Sequence, residues 1–513
     1  MAAGEVRRSI RPQAYIVFFL LFAVVVVASH VAFLGLPYFW DEAGQFVPAA
    51  LDILRGGRLI PHSIAPNIHP PGVMVYLAAV WRAVGYSPEA TRCAMLLLAT
   101  AAVLMAFLLS IELSRETRGS PAFLAAALLC ASPLFMAQSM LAQLDAPVML
   151  FTAWALLLFL QDRVRLAAAV CVALVLVKET GVVVPLVFAL WLAKERRWRD
   201  AAMFLPAFGA LGVWLAALRV RTGNWAGNAE FVRYNVFYPL SPLRLGAALL
   251  RRLYFLLFAD LHWVGALAIL YAWRRSRVFH TRSWKIAWLV AAAHVAMFTV
   301  VGGAVLERYL LPVLPILYAG MAAGLSAYSR WARLASGAAL VVGLTAANFI
   351  NPPYPFPYEN NLAFADFVIL HRYAAGFLEA RYPGARVATM WPMTEELSNP
   401  DLGYVRMASP VETLRELTGT DLERVDWNGT PVLVVFSRTW YPRHGVLNFP
   451  RLIEAWNRIY GDSPELNREQ ARARIPLALA AQFERRGQWV DIYVNPAWRP
   501  NSRDLKVRAS TRD

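Results

Sequence analysis

The sequence predicts a polytopic, all-α membrane domain followed by a small α/β domain. Of its 513 residues, 58% are hydrophobic and only 16% are charged, a composition too apolar for a soluble protein of this length. Apolar stretches of helical length recur through residues 1–350, whereas residues 351–513 mix polar and apolar positions. A proline-rich segment, 351–357, lies between the two parts and is expected to act as a stiff linker.

The first part consists of apolar segments that predict membrane helices. We identify eleven, near residues 14–36, 91–113, 120–138, 143–160, 166–177, 182–193, 200–219, 252–273, 285–303, 309–328 and 334–350. A full crossing needs about 20 residues, so the shorter fifth and sixth segments are predicted to form a shallow hairpin. The first segment exceeds a signal-peptide core and has no clear small-residue cleavage site, which predicts an uncleaved anchor.

The basic residues indicate how these segments are oriented. The net charge is +16, but most Lys and Arg residues lie in short clusters in alternate loops, which is typical of membrane topology rather than nucleic-acid binding. The positive-inside rule assigns those loops to the cytoplasm, so the long loops 37–90 and 220–251 face outward. Eleven crossings put residues 351–513 outside as well, and the predicted location is the cell inner (plasma) membrane.

Two adjacent carboxylates, Asp41 and Glu42, follow the first apolar segment directly. Charges beside a low-dielectric layer are costly, so a chemical role explains them better than packing does. The alternative is a solvated cap on a helix that begins near Ala43 and lies on the membrane as far as Leu54.

A stiff turn in the same outer loop presents His69. The segment Asn67-Ile68-His69-Pro70-Pro71-Gly72 contains two prolines, which restrict the backbone before another apolar helix, 73–84. Such a turn can hold a side chain in a site, but a plain loop turn explains the pattern equally well.

Other charged residues lie at the predicted outer ends of membrane segments. Asp145 either faces a cavity or caps its helix together with Pro147. Lys178 either reaches a site or pairs with Glu179. Arg308 either binds an anion or extends to the membrane interface while its stem stays in the apolar layer.

Five short motifs occur in a specific order. They are Trp40-Asp41-Glu42, the Pro70-Pro71 turn, Leu144-Asp145-Ala146-Pro147, Lys178-Glu179-Thr180-Gly181 and Arg308-Tyr309-Leu310-Leu311-Pro312-Val313-Leu314-Pro315. In order, sidedness and spacing this set resembles the GT-C glycosyltransferases. The branch it resembles most is family 39, which includes protein O-mannosyltransferases and the lipid A aminoarabinose transferase. The resemblance covers about residues 14–350.

The resemblance implies an integral membrane enzyme that takes a sugar from a polyprenyl-phosphate donor. Asp41 matches the catalytic or acceptor-orienting aspartate of the family, with Glu42 beside it, and Asp145 matches its second acidic position. Sugar transfer to a hydroxyl needs a base to take the acceptor proton, and a carboxylate can serve. The implied acceptor is a lipid, a glycan or a protein.

Departure of the lipid phosphate needs cations that stabilise developing charge. Lys178 and Arg308, with Tyr309 beside it, are therefore the predicted donor-binding residues. His69 stands where some relatives have a lysine, so a neutral imidazole could instead donate a hydrogen bond or ligate a metal. Some relatives hold a divalent ion near the acidic loop, so the resemblance implies a divalent metal ion as a possible cofactor. No metal-ligand spacing in this sequence marks a site for it.

Two other functions fit a polytopic chain with charges in apolar surroundings. A transporter would account for them, but the sequence has no internal repeat and no pair of matching broken helices. A noncatalytic membrane scaffold with an outer binding domain is the second alternative. An ATP-driven or nucleotide-sugar enzyme is not indicated, because no Walker loop or dinucleotide fingerprint is present.

The C-terminal part alternates helical and strand patterns. Residues 362–381 and 449–460 are predicted helices, and residues 386–391, 431–436 and 488–494 are predicted strands, which together indicate a small extracytoplasmic α/β domain. It contains no recognisable catalytic motif. Acceptor binding, regulation and support of the membrane domain all stay open as its role.

Overall fold

The computed structural model describes residues 12–115, 121–440, 454–455, 458–459, 466 and 468–498. Within them, the chain is helical through most of its first 347 residues and forms a five-stranded sheet near its C-terminus.

Seventeen helices precede the proline-rich segment in the described residues. In chain order they are α1 (Pro12–His30), α2 (Val47–Gly56), α3 (Gly72–Val84), α4 (Pro88–Leu113), α5 (Ala122–Ala131), α6 (Pro133–Gln138), α7 (Asp145–Leu160), α8 (Val164–Val177), α9 (Val183–Lys194), α10 (Trp198–Ala202), α11 (Leu205–Thr222), α12 (Ala229–Val232), α13 (Pro242–Leu257), α14 (His262–Arg275), α15 (Arg282–Val300), α16 (Leu314–Leu325) and α17 (Arg330–Ala347). Short helical turns of other types extend or join them at Val31–Phe33, Glu42–Phe46, Glu179–Val182, Arg233–Phe237, Ala259–Leu261, Val278–His280 and Glu307–Val313.

Every apolar segment that the sequence marks is largely helical in the described residues, but three of them are interrupted. The third is divided between α5 and α6 at Ser132, whose extended ψ of 125° is the conformation favoured before Pro133. The seventh is divided between α10 and α11 by a turn at residues 203–204. The eighth breaks between α13 and α14, where Asp260 and Leu261 both have positive φ. The two helices meet there at a bend of 47°.

Helix length supports a multi-pass membrane protein. Among the described residues, five helical stretches are long and apolar enough to cross a membrane, and the bent α13–α14 pair would make a sixth. The five are Gln13–Phe33, Pro88–Leu113, Trp198–Thr222, Arg282–Val300 and Glu307–Leu325. Other apolar helices, such as α5 and α8, have only 10–17 residues. The predicted total of eleven spans therefore stays a prediction.

The helices differ in how much of their surface faces the protein. In the most apolar part of Glu307–Leu325, 94% of the residues are buried, against 17% in Gln13–Phe33. The first is thus a central helix, whereas α1 keeps a largely apolar surface that suits contact with lipid. Helix α4 is also central and packs against α1, α5, α7 and α16. Its N-terminus is capped by Ser87, whose hydroxyl accepts a hydrogen bond from the Ala90 amide.

The C-terminal residues form a mixed sheet. Its strands are β1 (Val387–Met390), β2 (Val411–Leu414), β3 (Val432–Phe436), β4 (Ala478–Arg485) and β5 (Gln488–Val494), in the order β2-β1-β3-β5-β4. Strand β1 is parallel to β2 and β3, whereas β5 is antiparallel to β3 and β4. The accompanying helices are α18 (Ala363–Arg381), α19 (Met393–Ser398), α20 (Gly419–Glu423) and α21 (Arg468–Arg474).

The predicted helix at 362–381 and all three predicted strands are present, as α18, β1, β3 and β5. The sequence analysis missed β2 and β4. Both have partly or largely exposed side chains, so they lack the continuous apolar run that marks β3. Most of the predicted helix at 449–460 lies outside the described residues.

The sheet-containing part packs on the loop that follows α1. The Tyr404 hydroxyl donates to the Tyr38 carbonyl (2.9 Å), and the Tyr86 hydroxyl donates to the Asp401 carbonyl (2.5 Å). Arg55 also pairs with Asp401 at 2.7 Å. Loop 37–90 and the C-terminal part therefore lie on the same face of the helical part. Which side of the membrane this face occupies stays a prediction.

Candidate active site

A cavity of about 1490 Å³ lies between the helical part and the sheet-containing part. Its walls come from loop 37–90, the turn at 178–180, residues 228–238, residues 298–309 and the C-terminal part. The sequence-predicted site residues that line it are Asp41, His69, Asp145, Lys178, Arg308 and Tyr309. The fold thus brings six residues from four separate stretches of chain to one concave surface, large enough for a ligand of considerable size.

Glu42 is the predicted site residue that does not belong to this group. It is fully buried, forms an ion pair with Arg92 of α4, and accepts from the backbone amides of Phe39 (2.9 Å) and Ala142 (2.5 Å). Its carboxylate therefore ties the loop after α1 to α4 and to the segment before α7. This position does not fit the predicted catalytic role, because a substrate in the cavity would not reach it. A solvated cap does not fit either.

Arg308 forms the centre of the charged cluster. Its guanidinium pairs with Asp41, donates to Gln143 Oε1 at 2.6 Å and to Glu359 Oε2 at 2.9 Å, and lies 3.6 Å from Asp145. The side chain is only 7% exposed. An arginine that merely reached for the membrane interface would have a solvated head, so that alternative does not describe Arg308.

Lys178 and Asp145 form a second buried pair next to it. The Nζ–Oδ1 distance is 2.6 Å, and the ammonium also lies 4.7 Å from the centre of the Tyr309 ring. Asp145 is thus engaged by Lys178, and it is the first residue of α7 and not its N-cap, which is Leu144. Lys178 does not pair with Glu179, contrary to the simpler sequence alternative.

Glu179 pairs instead with His69. The His69 Nδ1 and Glu179 Oε2 atoms are 2.8 Å apart, across 110 residues of sequence. Burial favours the protonated form of Glu179, but the charge and hydrogen bond of His69, together with the charge of Lys178, outweigh that effect and lower the pKa of the carboxyl. The carboxylate fixes the imidazole ring and leaves Nε2 as the second polar atom of the side chain.

A chain of polar side chains links this pair to Asp41. Gln45 donates to Asp41 Oδ1 at 3.4 Å, and Asn67 donates to Gln45 Oε1 at 3.1 Å. The Asn67 side-chain oxygen then accepts from the His69 amide at 3.1 Å. The stiff turn at 67–72 therefore does hold His69 in a defined place, as one of its two sequence explanations supposed.

The sequence analysis missed Glu359 and Trp391. Glu359 lies in the turn Tyr358–Asn360, just after the proline-rich segment, and Trp391 follows β1; both line the cavity. Trp391 packs edge-to-face on Trp40 with ring centres 4.8 Å apart. A carboxylate just after the proline-rich segment that follows the last apolar segment was a usable signal for Glu359. Nothing in the local sequence of Trp391 indicates that it reaches the membrane domain.

Burial raises the pKa of Glu359 to about 7. The positive charge of Arg308 opposes this shift, while the nearby carboxylates of Asp41 and Asp145 add to it. The charge balance adds to the effect of burial, since three carboxylates surround two cations, Arg308 and Lys178. Holding one of these carboxyl groups in its protonated form relieves the excess negative charge.

A divalent metal ion does not fit the side chains as they are arranged here. Among the described residues, no three His, Cys, Asp or Glu side chains are grouped as a metal site would need. Four carboxylates of the cavity, those of Asp41, Asp145, Glu179 and Glu359, are already paired with Arg308, Lys178 or His69. The metal cofactor implied by the sequence resemblance stays a prediction.

Comparison with known proteins gave matches among solved structures. No protein-family model matches the sequence, and no curated protein matches it significantly. ArnT from Cupriavidus metallidurans bound to undecaprenyl phosphate is similar with a TM-score of 0.55 and 14% identity, over 96% of this chain and 100% of that chain. Its apo state gives a TM-score of 0.55 and 14% identity, over 95% and 99% of the two chains.

AglB, an archaeal oligosaccharyltransferase from Archaeoglobus fulgidus, gives a TM-score of 0.48 and 11% identity, over 95% of this chain and 75% of that chain. At such identities, a structural match speaks for the fold and not for the substrate. The two ArnT matches span nearly the whole of both chains, including the C-terminal sheet. The chain therefore has the GT-C glycosyltransferase fold, and the resemblance read from its sequence motifs is confirmed at the level of the fold.

Proposed function

We propose that the protein is an integral membrane glycosyltransferase that moves a sugar from a polyprenyl-phosphate donor to an acceptor hydroxyl. The observation that carries this proposal is the buried cluster of Arg308, Lys178, Asp41 and Asp145 in one large cavity of a GT-C fold. Two cations suit a lipid phosphate, and carboxylates suit an acceptor hydroxyl. A membrane enzyme is required because the tail of such a donor stays in the bilayer.

The proposed reaction breaks the bond between the sugar's anomeric carbon and a phosphate oxygen. A new bond forms from that carbon to the acceptor oxygen, and the hydroxyl proton passes to a carboxylate. Asp41 is our choice for this base, because it lines the cavity whereas Glu42 is enclosed by Arg92 and backbone amides. We therefore leave Glu42 out of the catalytic set.

Arg308 and Lys178 would stabilise the charge that develops on the departing phosphate. Arg308 can grip phosphate with two parallel N–H groups, and Lys178 adds a point charge held in place by Asp145 and the Tyr309 ring. His69, fixed by Glu179, lines the same cavity and would add a hydrogen bond. The sugar, the acceptor and the outward orientation of this face belong to the proposal as well.

Donor binding provides the first test. Purified wild-type protein, Arg308→Lys and Arg308→Ala are compared for affinity to undecaprenyl phosphate in detergent. The lysine variant keeps the charge but loses the two parallel N–H groups of the guanidinium, so its affinity should fall about tenfold. The alanine variant should bind more weakly still. Arg282→Ala is the matched control, because Arg282 pairs with Glu195 and does not line the cavity.

Equal affinity in wild type and both Arg308 variants, with all proteins monodisperse and similarly stable, would remove Arg308 from the proposed site. A profile of lipid-linked sugars in cells with and without the protein then identifies the donor sugar. An unchanged profile, together with a transported solute that depends on the protein, would instead favour a transporter.

A further inference from the structure

Every nitrogen of the Arg308 guanidinium already faces a polar side chain. Its Nη1 donates to both Gln143 and Glu359, its Nη2 pairs with Asp41, and its Nε, which makes no hydrogen bond, lies 3.6 Å from Asp145 Oδ2. A phosphate held by the guanidinium fork needs two N–H groups that point the same way. At least one present partner of Arg308 must therefore give way when the donor phosphate binds.

Charge makes a carboxylate the partner that has to change. Asp41, Asp145 and Glu359 surround Arg308 and Lys178, so this cluster carries one excess negative charge when every member is ionised. An entering phosphate would increase that excess in a buried site, where like charges repel strongly. Uptake of one proton by the cluster offsets the charge that the phosphate brings.

Glu359 is the carboxylate best suited to take that proton. Asp145 is held by Lys178 at 2.6 Å, and Asp41 also accepts from Gln45. In contrast, Glu359 Oε1 is buried and has no hydrogen-bond partner among the described residues. A proton on that atom breaks no existing hydrogen bond.

The groups that face Glu359 favour the same outcome. Burial raises the pKa of its carboxyl to about 7; Arg308 acts against the shift, and the negative charges of Asp41, Asp145 and Glu307 add to it. Glu359 thus changes its charge close to neutral pH, where the positions of its neighbours can decide between the two forms.

We propose that Glu359 occupies the place of the donor phosphate on Arg308 and yields it by taking up a proton when the donor binds. This inference rests on the proposed function, because it presupposes a polyprenyl-phosphate donor. Glu359 is then a positioning residue for Arg308, supplied by the segment that joins the membrane part to the sheet-containing part. It couples donor binding to proton uptake.

The direction of the pH dependence follows from this exchange. The protonated form of Glu359 leaves Arg308 to the phosphate, so donor affinity is highest below about pH 7 and is lost as the pH rises through that value. Once the carboxyl is fully ionised, the loss approaches about tenfold for each further unit of pH.

The test uses undecaprenyl methyl phosphate, a phosphodiester whose own charge is constant over the range studied. Its affinity for the full-length protein is measured at pH 6, 7 and 8.5 for wild type, Glu359→Gln and the control Glu379→Gln. Glu379 lies on α18 and accepts from the backbone amides of Arg406 and Met407, away from the cavity. Calorimetry of the wild type in buffers of different ionisation enthalpy counts the protons taken up on binding.

We expect wild type and Glu379→Gln to lose about tenfold in affinity between pH 7 and pH 8.5, with Glu359→Gln unchanged over that range. Wild type should also take up close to one proton per bound lipid at pH 8.5. The same pH dependence in wild type and Glu359→Gln, or binding without proton uptake, would overturn the role of Glu359 alone. Failure of all three proteins to bind the probe at any pH would overturn the proposed function itself. If Glu359→Gln does not fold, the number of protons that the wild type takes up on binding decides whether the role of Glu359 stands.

Discussion

Asp41 and Glu42 are neighbours in the chain but have different surroundings. Asp41 faces the cavity and the guanidinium of Arg308, whereas Glu42 points into the protein and is enclosed by Arg92 and two backbone amides. The helical turn Glu42–Phe46 starts between them, so consecutive side chains leave the backbone in different directions. One carboxylate is therefore available for chemistry, and the other anchors the loop that presents it.

This difference predicts opposite phenotypes for two isosteric substitutions. Asp41→Asn should lower sugar transfer by about 10²-fold or more, with little change in stability, because it removes the proposed base. Glu42→Gln leaves the buried Arg92 without its counter-charge and should cost about 3–5 kcal/mol of stability. Transfer in membranes and thermal unfolding in detergent measure the two effects. Near-normal transfer by well-folded Asp41→Asn protein would exclude Asp41 as an essential base.

At the scale of elements, the loop after α1 packs on the segment that follows β1. Gly44 and Trp391 make this contact. A Cβ atom on Gly44 would lie 2.7 Å from Trp391 Nε1, closer than real contacts allow. Gly44 therefore lets the turn Glu42–Phe46 lie flat against Trp391. Both Gly44 and Trp391 line the cavity, so this contact also sets the distance between its two walls.

Gly44→Ala should separate these two elements and lower stability by about 1–3 kcal/mol through overpacking. Gly209→Ala is the matched control, since Gly209 lies within α11 and a Cβ there meets no described atom within 4 Å. It should be neutral or slightly stabilising, because alanine favours the helix. Melting temperatures of the two variants in the same detergent provide the comparison. Equal melting temperatures would show that the Trp391 side chain moves aside at no cost.

At the scale of the whole molecule, the C-terminal part forms a wall of the cavity. Glu359 pairs with Arg308, Trp391 lines the same cavity, and Tyr404 and Asp401 are hydrogen-bonded to loop 37–90. Of the three roles left open by the sequence, this arrangement suits acceptor binding and support of the membrane domain better than regulation from a distance. It also requires the C-terminal part and loop 37–90 to lie on the same side of the membrane.

The predicted side is the outside of the cell. A cysteine placed at Ala408, an exposed residue of the C-terminal part, should react with an impermeant thiol reagent in intact cells or spheroplasts. The substitution is made in a Cys93→Ala background, because Cys93 is exposed, whereas Cys130 and Cys171 are less accessible. A cysteine at Arg330, at the predicted cytoplasmic start of α17, should react only after lysis. The reverse pattern would contradict the orientation.

The helical segments could be predicted from the sequence because membrane hydropathy is a local property. Each apolar run between 14 and 350 is helical, since backbone groups in an apolar layer must pair within their own segment. The buried strands β1, β3 and β5 were equally visible as short apolar runs. The exposed strands β2 and β4 were not, because their side chains carry no burial signal.

The partners within the cavity depend on the tertiary structure. Sequence motifs marked Asp41, His69, Asp145, Lys178 and Arg308 as residues of interest, but each ion pair joins segments that are far apart in the chain. Glu179 acquires His69 as its partner across 110 residues, and Glu359 meets Arg308 across 51. Hydropathy and helix propensity act over a few neighbouring residues, whereas the pairing of buried charges is decided by which helices and loops pack together.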